Sequence, residues 1–277
     1  MPMSARRATL GRGPQACLGL LLVALVAACT ATAPSPSSVR PPAGAPALRV
    51  VIAAGVPPYS WAEEGRFVGL EVDFANALAT ALGRPIRFEA VDFGEVFGRV
   101  VDGRADLAMA GLTVTPGREV QMAFAEPYVH SGFLALVRRE DANRYPTPES
   151  VLSAAQTIGV VQGTTGERWV NQRVSSVLSY PTAQAAVDEL RTRRIDAIIH
   201  DAPVLIWFAS RDEANLAPVL HLIGDEPLAW AMPRGDDALR QQVNAVLARW
   251  RSDGTRDRIL ARWLPYWQRL ESAERSR

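Results

Sequence analysis

The alternation of apolar and polar positions predicts an α/β unit over residues 47–111. The run "LRVVIAA" (48–54) is almost continuously apolar, as a strand buried on both faces should be. Leu70, Phe74, Leu78 and Leu82 then recur at every fourth residue, which predicts a helix that ends at Gly83. Further strand, helix and strand patterns follow, and the order β-α-β-α-β is typical of a mostly parallel sheet covered by helices.

The pattern repeats in the second half of the chain. Strands are predicted over 132–137, in "TIGVV" (157–161) and in "IDAIIH" (195–200), with helices between them, and a late strand over 228–235. Thr147 and Pro148 predict a capped helix start, and Asp201 is expected to cap the helix that follows it. Two α/β units in a chain of 277 residues indicate two lobes with a cleft between them.

The first 46 residues do not fit either unit. Residues 1–28 combine three arginines with a short apolar run that ends in "VAAC", which resembles a bacterial lipoprotein signal cut before Cys29. An ordinary signal peptide with a chance cysteine is the alternative. Residues 29–46 are rich in Pro, Ser and Ala, and we expect a disordered tether there. Lipidation of Cys29 would anchor the exported protein to the cell membrane or outer membrane, facing the periplasm or the extracellular side.

Composition narrows the chemistry. All 30 basic residues are arginine, so Schiff-base chemistry and a Walker-type phosphate lysine are excluded. Removal of residues 1–28 would leave 27 arginines and 29 acids, a net charge of −2, and no basic block is present, so nucleic acid is not expected as a partner. The three histidines are widely spaced and Cys29 would be the one cysteine left, so neither a metal site nor a disulfide is expected.

Arg118 is the first candidate for ligand binding. Thr115 and Pro116 predict the start of a helix, where unpaired N–H groups and the helix dipole favour an anion. The arginine adds a planar, bidentate match to a carboxylate, and the hydroxyl of Thr113 lies just upstream. The alternative is an ordinary solvated arginine.

Two further features are weaker evidence for a ligand-binding site. The loop 163–166 leads into a helix and offers N–H groups and the Thr165 hydroxyl, but it could be a simple helix cap. His200 and Asp201 are neighbours at a strand end, where their side chains should point to opposite faces, so they are a poor catalytic pair. Asp201 is either a helix cap or a carboxylate placed for an ammonium group. An arginine and an aspartate together match the two charges of a free amino acid.

The sequence from about residue 48 to 265 resembles the amino-acid-binding branch of bacterial extracellular solute-binding proteins, family 3. The resemblance rests on "PPYSW", "GRFVGLEVDFANALATALG", "GRADLAMAGLTVTPGREVQMAFAEPYV", "IGVVQGTTGE" and "RRIDAIIHDAPVLIWF". It implies an α/β, two-lobe, type II periplasmic-binding-protein fold, each lobe a mostly parallel sheet flanked by helices and joined by two hinge crossings. Lobe 1 would be 47–131 with 226–270, lobe 2 would be 133–223, the crossings would lie at 131–133 and 223–226, and 271–277 would be a tail.

The resemblance also implies roles. Arg118 would pair with the ligand α-carboxylate, assisted by Thr113 and Thr165. The carbonyl of Gly111 would accept from the α-ammonium, and Asp201 would pair with its charge. Phe93 would form an aromatic wall against the ligand side chain.

The chain departs from glutamine-binding and basic-amino-acid-binding members. Ala53 and Val56 stand where those carry an acid and an aromatic, and Val161 stands where glutamine binders carry a lysine. We therefore expect a less polar ligand, with Tyr59, Trp61 or Glu63 as possible compensating groups.

The resemblance predicts a monomeric binding protein without cofactor, whose partners are a free L-amino acid, a membrane permease of an ABC importer and, through Cys29, the lipid bilayer. Cyclohexadienyl or arogenate dehydratases are the enzymatic alternative within the family. They carry a glutamate shortly after the cleft aspartate, where this chain has Val204.

Overall fold

The computed structural model describes residues 46–265 and residue 267. The predicted signal peptide, most of the predicted tether and the tail lie outside the described residues. Within them, no helix is long and apolar enough to cross a membrane.

The strands, in chain order, are β1 (Leu48–Ala53), β2 (Trp61–Glu63), β3 (Arg66–Val68), β4 (Ile86–Val91), β5 (Leu107–Ala108), β6 (Met122–Phe124), β7 (Val129–Arg138), β8 (Ile158–Val161), β9 (Val177–Tyr180), β10 (Ala197–Asp201), β11 (Leu216–Leu228) and β12 (Ala231–Pro233). The α-helices are α1 (Leu70–Leu82), α2 (Phe93–Val101), α3 (Pro116–Glu119), α4 (Pro148–Ala154), α5 (Thr165–Asn171), α6 (Ala183–Arg191), α7 (Ala202–Arg211), α8 (Asp237–Asp253) and α9 (Thr255–Trp263), and a 3₁₀ helix spans Arg139–Arg144.

Two five-stranded sheets organise the described residues. Sheet 1 has the order β4-β1-β5-β12-β6, and sheet 2 has the order β11-β7-β10-β8-β9. Within sheet 1, β4, β1 and β5 run parallel and β12 joins antiparallel to both β5 and β6. Within sheet 2, β10, β8 and β9 run parallel, whereas β7 and β11 add antiparallel pairs.

Each sheet is therefore mixed, with a parallel β-α-β core of the predicted kind. The antiparallel pairs involve β12 with β5 and β6 in sheet 1, and β7 with β10 and β11 in sheet 2. The late strand expected over 228–235 is the short β12, because β11 continues to Leu228. The hairpin β2–β3 and the strands β6 and β9 escaped prediction because each is only three or four residues long.

Both faces of sheet 1 are buried. Along β1, Val50 and Ile52 pack into one apolar cluster with α1 and α8, whereas Val51 and Ala53 pack into another with α2. This is the environment that the near-continuous apolar run predicts. Helix α1 ends as expected, at Gly83 in the left-handed conformation (φ 62°).

Strands β7 and β11 form a long antiparallel ribbon that runs between the sheets. Its register slips between Val219 and Ile223 and again between Ile223 and Glu226. Gly132 faces this irregular stretch, where a Cβ would lie 3.0 Å from the carbonyl oxygens of Gly224 and Ile223. The absence of a side chain therefore lets the two strands approach at the point where the sequence predicts the crossings between lobes.

Candidate functional site

A cavity of about 390 Å³ lies where the parallel strands of both sheets end. Its wall is built by the segments that follow β1, β4, β5, β8, β9 and β10, each at the carboxyl end of its strand. Ligands of open α/β sheets bind at such ends. All eight residues predicted to bind ligand line this cavity: Tyr59, Phe93, Gly111, Thr113, Arg118, Val161, Thr165 and Asp201. We call its polar part, formed by Gly111, Thr113, Arg118, Thr165 and Asp201, the zwitterion half.

Arg118 is buried in this half rather than solvated. Its side chain is only 8% exposed, its Nη1 donates to the carbonyl oxygen of Thr113 at 2.8 Å, and its guanidinium lies 4.7 Å from the ring centre of Phe97. No carboxylate of the described residues lies within 4.0 Å of it. Burial, followed by the charge of Arg168, lowers the pKa of Arg118 to about 10, so the guanidinium remains protonated at neutral pH.

The helix that carries Arg118 contributes less than the sequence suggests. Thr115 caps α3 as predicted and accepts from the backbone N–H of Arg118. However, α3 has only four residues, and so short a helix has a small dipole. The anion preference of this corner therefore comes mainly from the buried guanidinium.

Asp201 lies on the opposite wall, between β10 and α7. It occupies the N-cap position of α7, but its side chain makes no capping hydrogen bond, so the cap prediction is wrong in its chemistry. Burial raises the pKa of the Asp201 carboxyl, while the neighbouring charges of His200 and Arg118 lower it. A carboxylate that does not serve its own helix is free to bind a cation in the cavity.

His200 does not form a catalytic pair with Asp201. Its Nδ1 is 3.9 Å from Asp201 Oδ1, too far for a hydrogen bond, and burial lowers the pKa of the imidazole. The Nδ1 atom is buried and has no hydrogen-bond partner among the described residues. His200 therefore lines the cavity as a neutral group.

Gly111 is held in place by a buried carboxylate that the sequence did not reveal. Its N–H donates to Glu71 Oε1 at 2.7 Å, and Glu71 also accepts from Tyr128 Oη and from Trp230 Nε1, both at 2.8 Å. Burial raises the pKa of Glu71, and these three hydrogen bonds oppose the rise. Glu71 follows Leu70 in the buried stripe of α1. An acid among the buried apolar positions of a helix is the sequence signal that could have revealed this carboxylate.

The ring of Tyr59 makes glycine necessary at 111. Gly111 has φ 61°, and a Cβ there would lie 2.6 Å from the Tyr59 ring. Burial, followed by the charges of Asp201, Glu71 and Glu226, raises the pKa of Tyr59, and its hydroxyl has no hydrogen-bond partner among the described residues. Tyr59 is thus packed against the zwitterion half, whereas Trp61 and Glu63 lie outside the cavity wall.

Thr113 and Thr165 bring the two walls together. Their hydroxyls are 3.4 Å apart, and Thr165 is the first residue of α5, whose cap is Thr164. Glu226, on β11, is a second acid that sequence reasoning missed. Burial raises its pKa, the facing hydroxyls of Thr113 and Thr165 lower it, and its Oε2 is buried with no hydrogen-bond partner among the described residues.

The cavity wall also has an apolar part. We call it the side-chain half and define it by five residues that line the cavity: Val56, Phe93, Val161, Val204 and Phe208. Val161, Val204 and Phe208 are buried, and Val56 and Phe93 are partly buried. The chain therefore presents charges at one part of the cavity and hydrocarbon at the other. The described residues contain no group of three His, Cys, Asp or Glu side chains placed to hold a metal ion.

Known proteins show the same sequence pattern and fold. Residues 48–266 match the bacterial extracellular solute-binding proteins, family 3. The chain is 27% identical over 255 residues to the L-cystine-binding protein TcyJ of Escherichia coli (strain K12), an alignment that covers 91% of this chain and 95% of that protein.

Two solved structures have a similar fold. An ancestral arginine-binding protein bound to glutamine superposes with a TM-score of 0.72 at 29% identity, covering 79% of this chain and 97% of that one. The ancestral amino acid-binding protein AncCDT-1, a precursor of cyclohexadienyl dehydratase, superposes with a TM-score of 0.72 at 28% identity, covering 78% of this chain and 94% of that one.

Proposed function

Because the chain belongs to the bacterial extracellular solute-binding proteins, family 3, and has their two-lobe type II periplasmic fold, we propose that it captures a free L-amino acid for an ABC importer. One observation carries the proposal. A buried arginine, without a carboxylate partner among the described residues, and a largely buried aspartate without a capping bond face one cavity. Buried charges are normally paired, so a ligand with both opposite charges completes the site.

The two charges define how an amino acid would lie. Its α-carboxylate would accept from the Arg118 guanidinium and from the hydroxyls of Thr113 and Thr165. Its α-ammonium would donate to Asp201 and to the carbonyl oxygen of Gly111. Charge-assisted hydrogen bonds of this kind are the strong ones, and here two of the donors, Arg118 and Thr113, are buried.

Binding would be coupled to lobe closure. Gly111, Thr113 and Arg118 follow β5 of sheet 1, whereas Thr165 follows β8 and Asp201 ends β10 of sheet 2. An amino acid would thus be held from both sheets and would favour the closed state through its extra contacts there. We place lobe 1 at 47–131 with 226–270 and lobe 2 at 133–223, with the hinge in the ribbon of β7 and β11.

A contact outside the cavity supports closure at the same place. Trp207 of α7, which packs over sheet 2, meets Trp61 of the hairpin β2–β3 with ring centres 6.0 Å apart in an edge-on arrangement. Trp61 in turn meets Trp263 of α9 at 5.4 Å. The contact between Trp61 and Trp207 joins elements that flank different sheets and would be lost when the cleft opens, whereas the contact between Trp61 and Trp263 fixes the hairpin on the side of sheet 1.

We also propose where the protein acts and which partner receives its ligand. The mature protein would be tethered through acylated Cys29, face the periplasm or the extracellular side, and act as a monomer that hands its ligand to a membrane permease. Family membership supports export, and the sequence before residue 47 supports the lipid anchor.

We also propose that the protein is a receptor and not a dehydratase. Three residues after Asp201, at the position where the resemblance places the glutamate of the dehydratases, α7 carries Val204, which is buried and apolar. No side chain there can donate or accept a proton. Turnover of prephenate or arogenate by the purified protein would contradict this assignment.

The direct test is a thermal-shift screen of the purified protein against the common L-amino acids. A ligand at ~100 times its dissociation constant adds about 2.7 kcal/mol to the free energy of unfolding. We expect at least one amino acid to raise the melting temperature, and its amide and decarboxylated analogues to fail. A folded protein that responds to no amino acid would refute the proposed function.

A further inference from the structure

We infer that the ligand is an amino acid with an uncharged, apolar side chain. The inference rests on the proposed function and concerns the side-chain half of the same cavity. If Arg118 and Asp201 take the α-carboxylate and the α-ammonium, the remaining wall decides which amino acid binds.

Few charged side chains line the described part of the cavity wall. Among the described residues that line the cavity, the carboxylates are Asp92 and Asp201 and the cation is Arg118. Asp201 and Arg118 belong to the zwitterion half. Asp92 is exposed, at the N-terminus of α2, where the unpaired N–H groups of the helix favour its negative charge. The described part of the wall therefore has no further buried charge to meet a charged ligand side chain.

Glu226 does not supply that charge. Its carboxyl faces the hydroxyls of Thr113 and Thr165, which lie on the carboxylate side of the proposed ligand. It is not among the residues that line the cavity. A cationic ligand side chain that extends toward Val161 and Phe93 would therefore point away from it.

The uncharged polar side chains near the side-chain half are either hydrogen-bonded within the protein or exposed. Thr164 donates to the carbonyl oxygen of Val161 at 2.7 Å and accepts from the N–H of Glu167, and Thr182 accepts from the N–H of Ala185. The Thr164 hydroxyl thus uses both its donor and its acceptor in capping α5, whereas Thr182 caps α6 as an acceptor and is exposed. Gln162 is exposed at the rim. By contrast, the buried atoms without partners in this region, Tyr59 Oη and His200 Nδ1, are close to Asp201.

The five residues of the side-chain half lie on several different elements. Val56 and Phe93 come from the segments after β1 and β4, Val161 ends β8, and Val204 and Phe208 lie one turn apart on α7. Apolar groups thus approach the cavity from both sheets. A hydrocarbon side chain would be surrounded when the lobes close, which is favourable, whereas a charged one would lose its hydration without gaining a partner.

The expected selectivity follows from these terms. One methylene more or less in an apolar pocket changes affinity by roughly 10- to 200-fold. We therefore expect leucine, methionine or phenylalanine to bind at least ~10-fold more tightly than alanine. Arginine, lysine, glutamate and aspartate should bind at least ~100-fold more weakly than the best of these, because a buried unpaired charge is strongly disfavoured.

The experiment is isothermal titration of the full mature chain with leucine, methionine, phenylalanine, alanine, glutamine, arginine and aspartate. Val161→Asp places a carboxylate in the side-chain half. It should weaken leucine binding and strengthen arginine binding, each by at least ~10-fold. Since Val161 is buried, Val56→Asp, at a partly buried position, provides a second variant in case the first does not fold. Val101→Asp is the matched control, because Val101 is 50% exposed and lies outside the cavity wall.

The outcomes separate the inference from the proposed function. Tightest binding of an apolar amino acid, with a reversal in the two aspartate variants and not in the control, would support the inference. Tightest binding of arginine or glutamine would overturn it while leaving an amino-acid receptor in place. If arginine binds and Asp92→Asn abolishes that binding, the rim carboxylate selects the ligand. No response to any amino acid by the folded protein would refute the proposed function itself.

Discussion

The zwitterion half and the side-chain half are built from opposite materials. In the first, buried charged and polar groups lack partners: Arg118 has no carboxylate within 4.0 Å among the described residues, and Asp201 makes no capping bond. In the second, the buried Thr164 caps a helix, the other polar side chains are exposed, and the buried and partly buried wall is hydrocarbon. Unpaired buried charge costs free energy in the empty protein, and a ligand recovers that cost.

The difference shows how one fold serves many ligands. The charged half matches what all amino acids share, and its geometry depends on backbone positions such as Gly111 and on the carboxylate of Glu71 behind it. The apolar half needs only side chains on strand ends and on α7, which can be exchanged without moving the backbone. Class recognition and ligand choice are thus physically separable, and substitutions should affect them differently.

The largest effect is expected from Arg118→Ala. Removal of the guanidinium leaves the ligand carboxylate buried without its main partner, which costs about 3–5 kcal/mol and at least ~100-fold in affinity for every amino acid. The fold should persist, because the one side-chain hydrogen bond lost goes to the Thr113 carbonyl. Titration calorimetry measures the affinity. Arg104→Ala is the control, since Arg104 is exposed and pairs with Asp102. Unchanged affinity in Arg118→Ala would remove this residue from the site.

Asp201→Asn should have the next largest effect. The amide keeps the shape but not the charge, and loss of a buried charge partner costs about 2–5 kcal/mol, or at least ~30-fold in affinity. Because burial raises the pKa of Asp201, its ionised form disfavours the empty folded state. Asp201→Asn should therefore raise the melting temperature of the ligand-free protein at neutral pH, by about 2–4 °C per kcal/mol gained.

The same carboxyl predicts a pH dependence. A raised pKa in the folded state means that the folded protein binds the proton more tightly than the unfolded chain. The stabilisation from this proton is complete below the unfolded pKa and is lost as the pH rises through the folded value. Ligand binding, which needs the ionised carboxylate, should weaken as the pH falls through that raised value. Calorimetry between pH 4 and 8 checks this, and a flat profile like that of Asp201→Asn would argue against the pairing.

Glu71→Gln should affect both stability and binding at an intermediate level. Glu71 accepts three hydrogen bonds, from Gly111, Tyr128 and Trp230, and an amide must turn its NH₂ group toward at least one of these donors. One unsatisfied buried group costs about 1–3 kcal/mol in the free energy of unfolding. Displacement of the Gly111 carbonyl should weaken all amino acids equally, by about 10-fold, since each 1.4 kcal/mol is one decade.

Tyr128→Phe separates the two consequences of losing Glu71. It removes one donor to Glu71 and leaves the bond to Gly111, so it should lower the melting temperature with less change in affinity. Equal losses of affinity in both variants would mean that Glu71 acts through general stability and does not position Gly111.

The residues of the zwitterion half, which line one cavity, could be singled out from the sequence because they follow recognisable signals. Strand patterns end just before Gly111 and Asp201, and Thr115-Pro116 marks the helix start beside Arg118. The strands that lead to these residues are buried on both faces, so their apolar runs are clear. By contrast, it could not show that Asp201 is not a capping residue or that α3 has only four residues, because both depend on neighbours distant in the chain.

The site residues that could not be predicted from the sequence share one property: their role depends on contacts with residues far away in the chain. Glu226 lies in an irregular part of β11 and gains its meaning only from Thr113 and Thr165, which are far away in sequence. Phe97 reaches Arg118 from α2, where it looked like an ordinary apolar helix position. Phe208 of α7 likewise has the pattern of an ordinary apolar helix position, although it lines the cavity. Whether an apolar residue faces a core or a cavity is set by tertiary packing and not by local pattern.

The smallest effect, and the one that separates the two halves, is expected from Phe93→Ala. Phe93 is partly buried on the cavity wall and packs edge-on against Phe97 at 5.6 Å. Its removal should weaken leucine and phenylalanine by roughly 3- to 10-fold, the share of an apolar side-chain contact of about 1 kcal/mol. Alanine, whose methyl group does not reach that wall, should be unaffected. Phe67→Ala is the matched control, because Phe67 is 39% exposed on β3 and outside the cavity wall. If alanine weakens as much as leucine, Phe93 acts on Arg118 through Phe97, and the two halves are energetically coupled rather than separate.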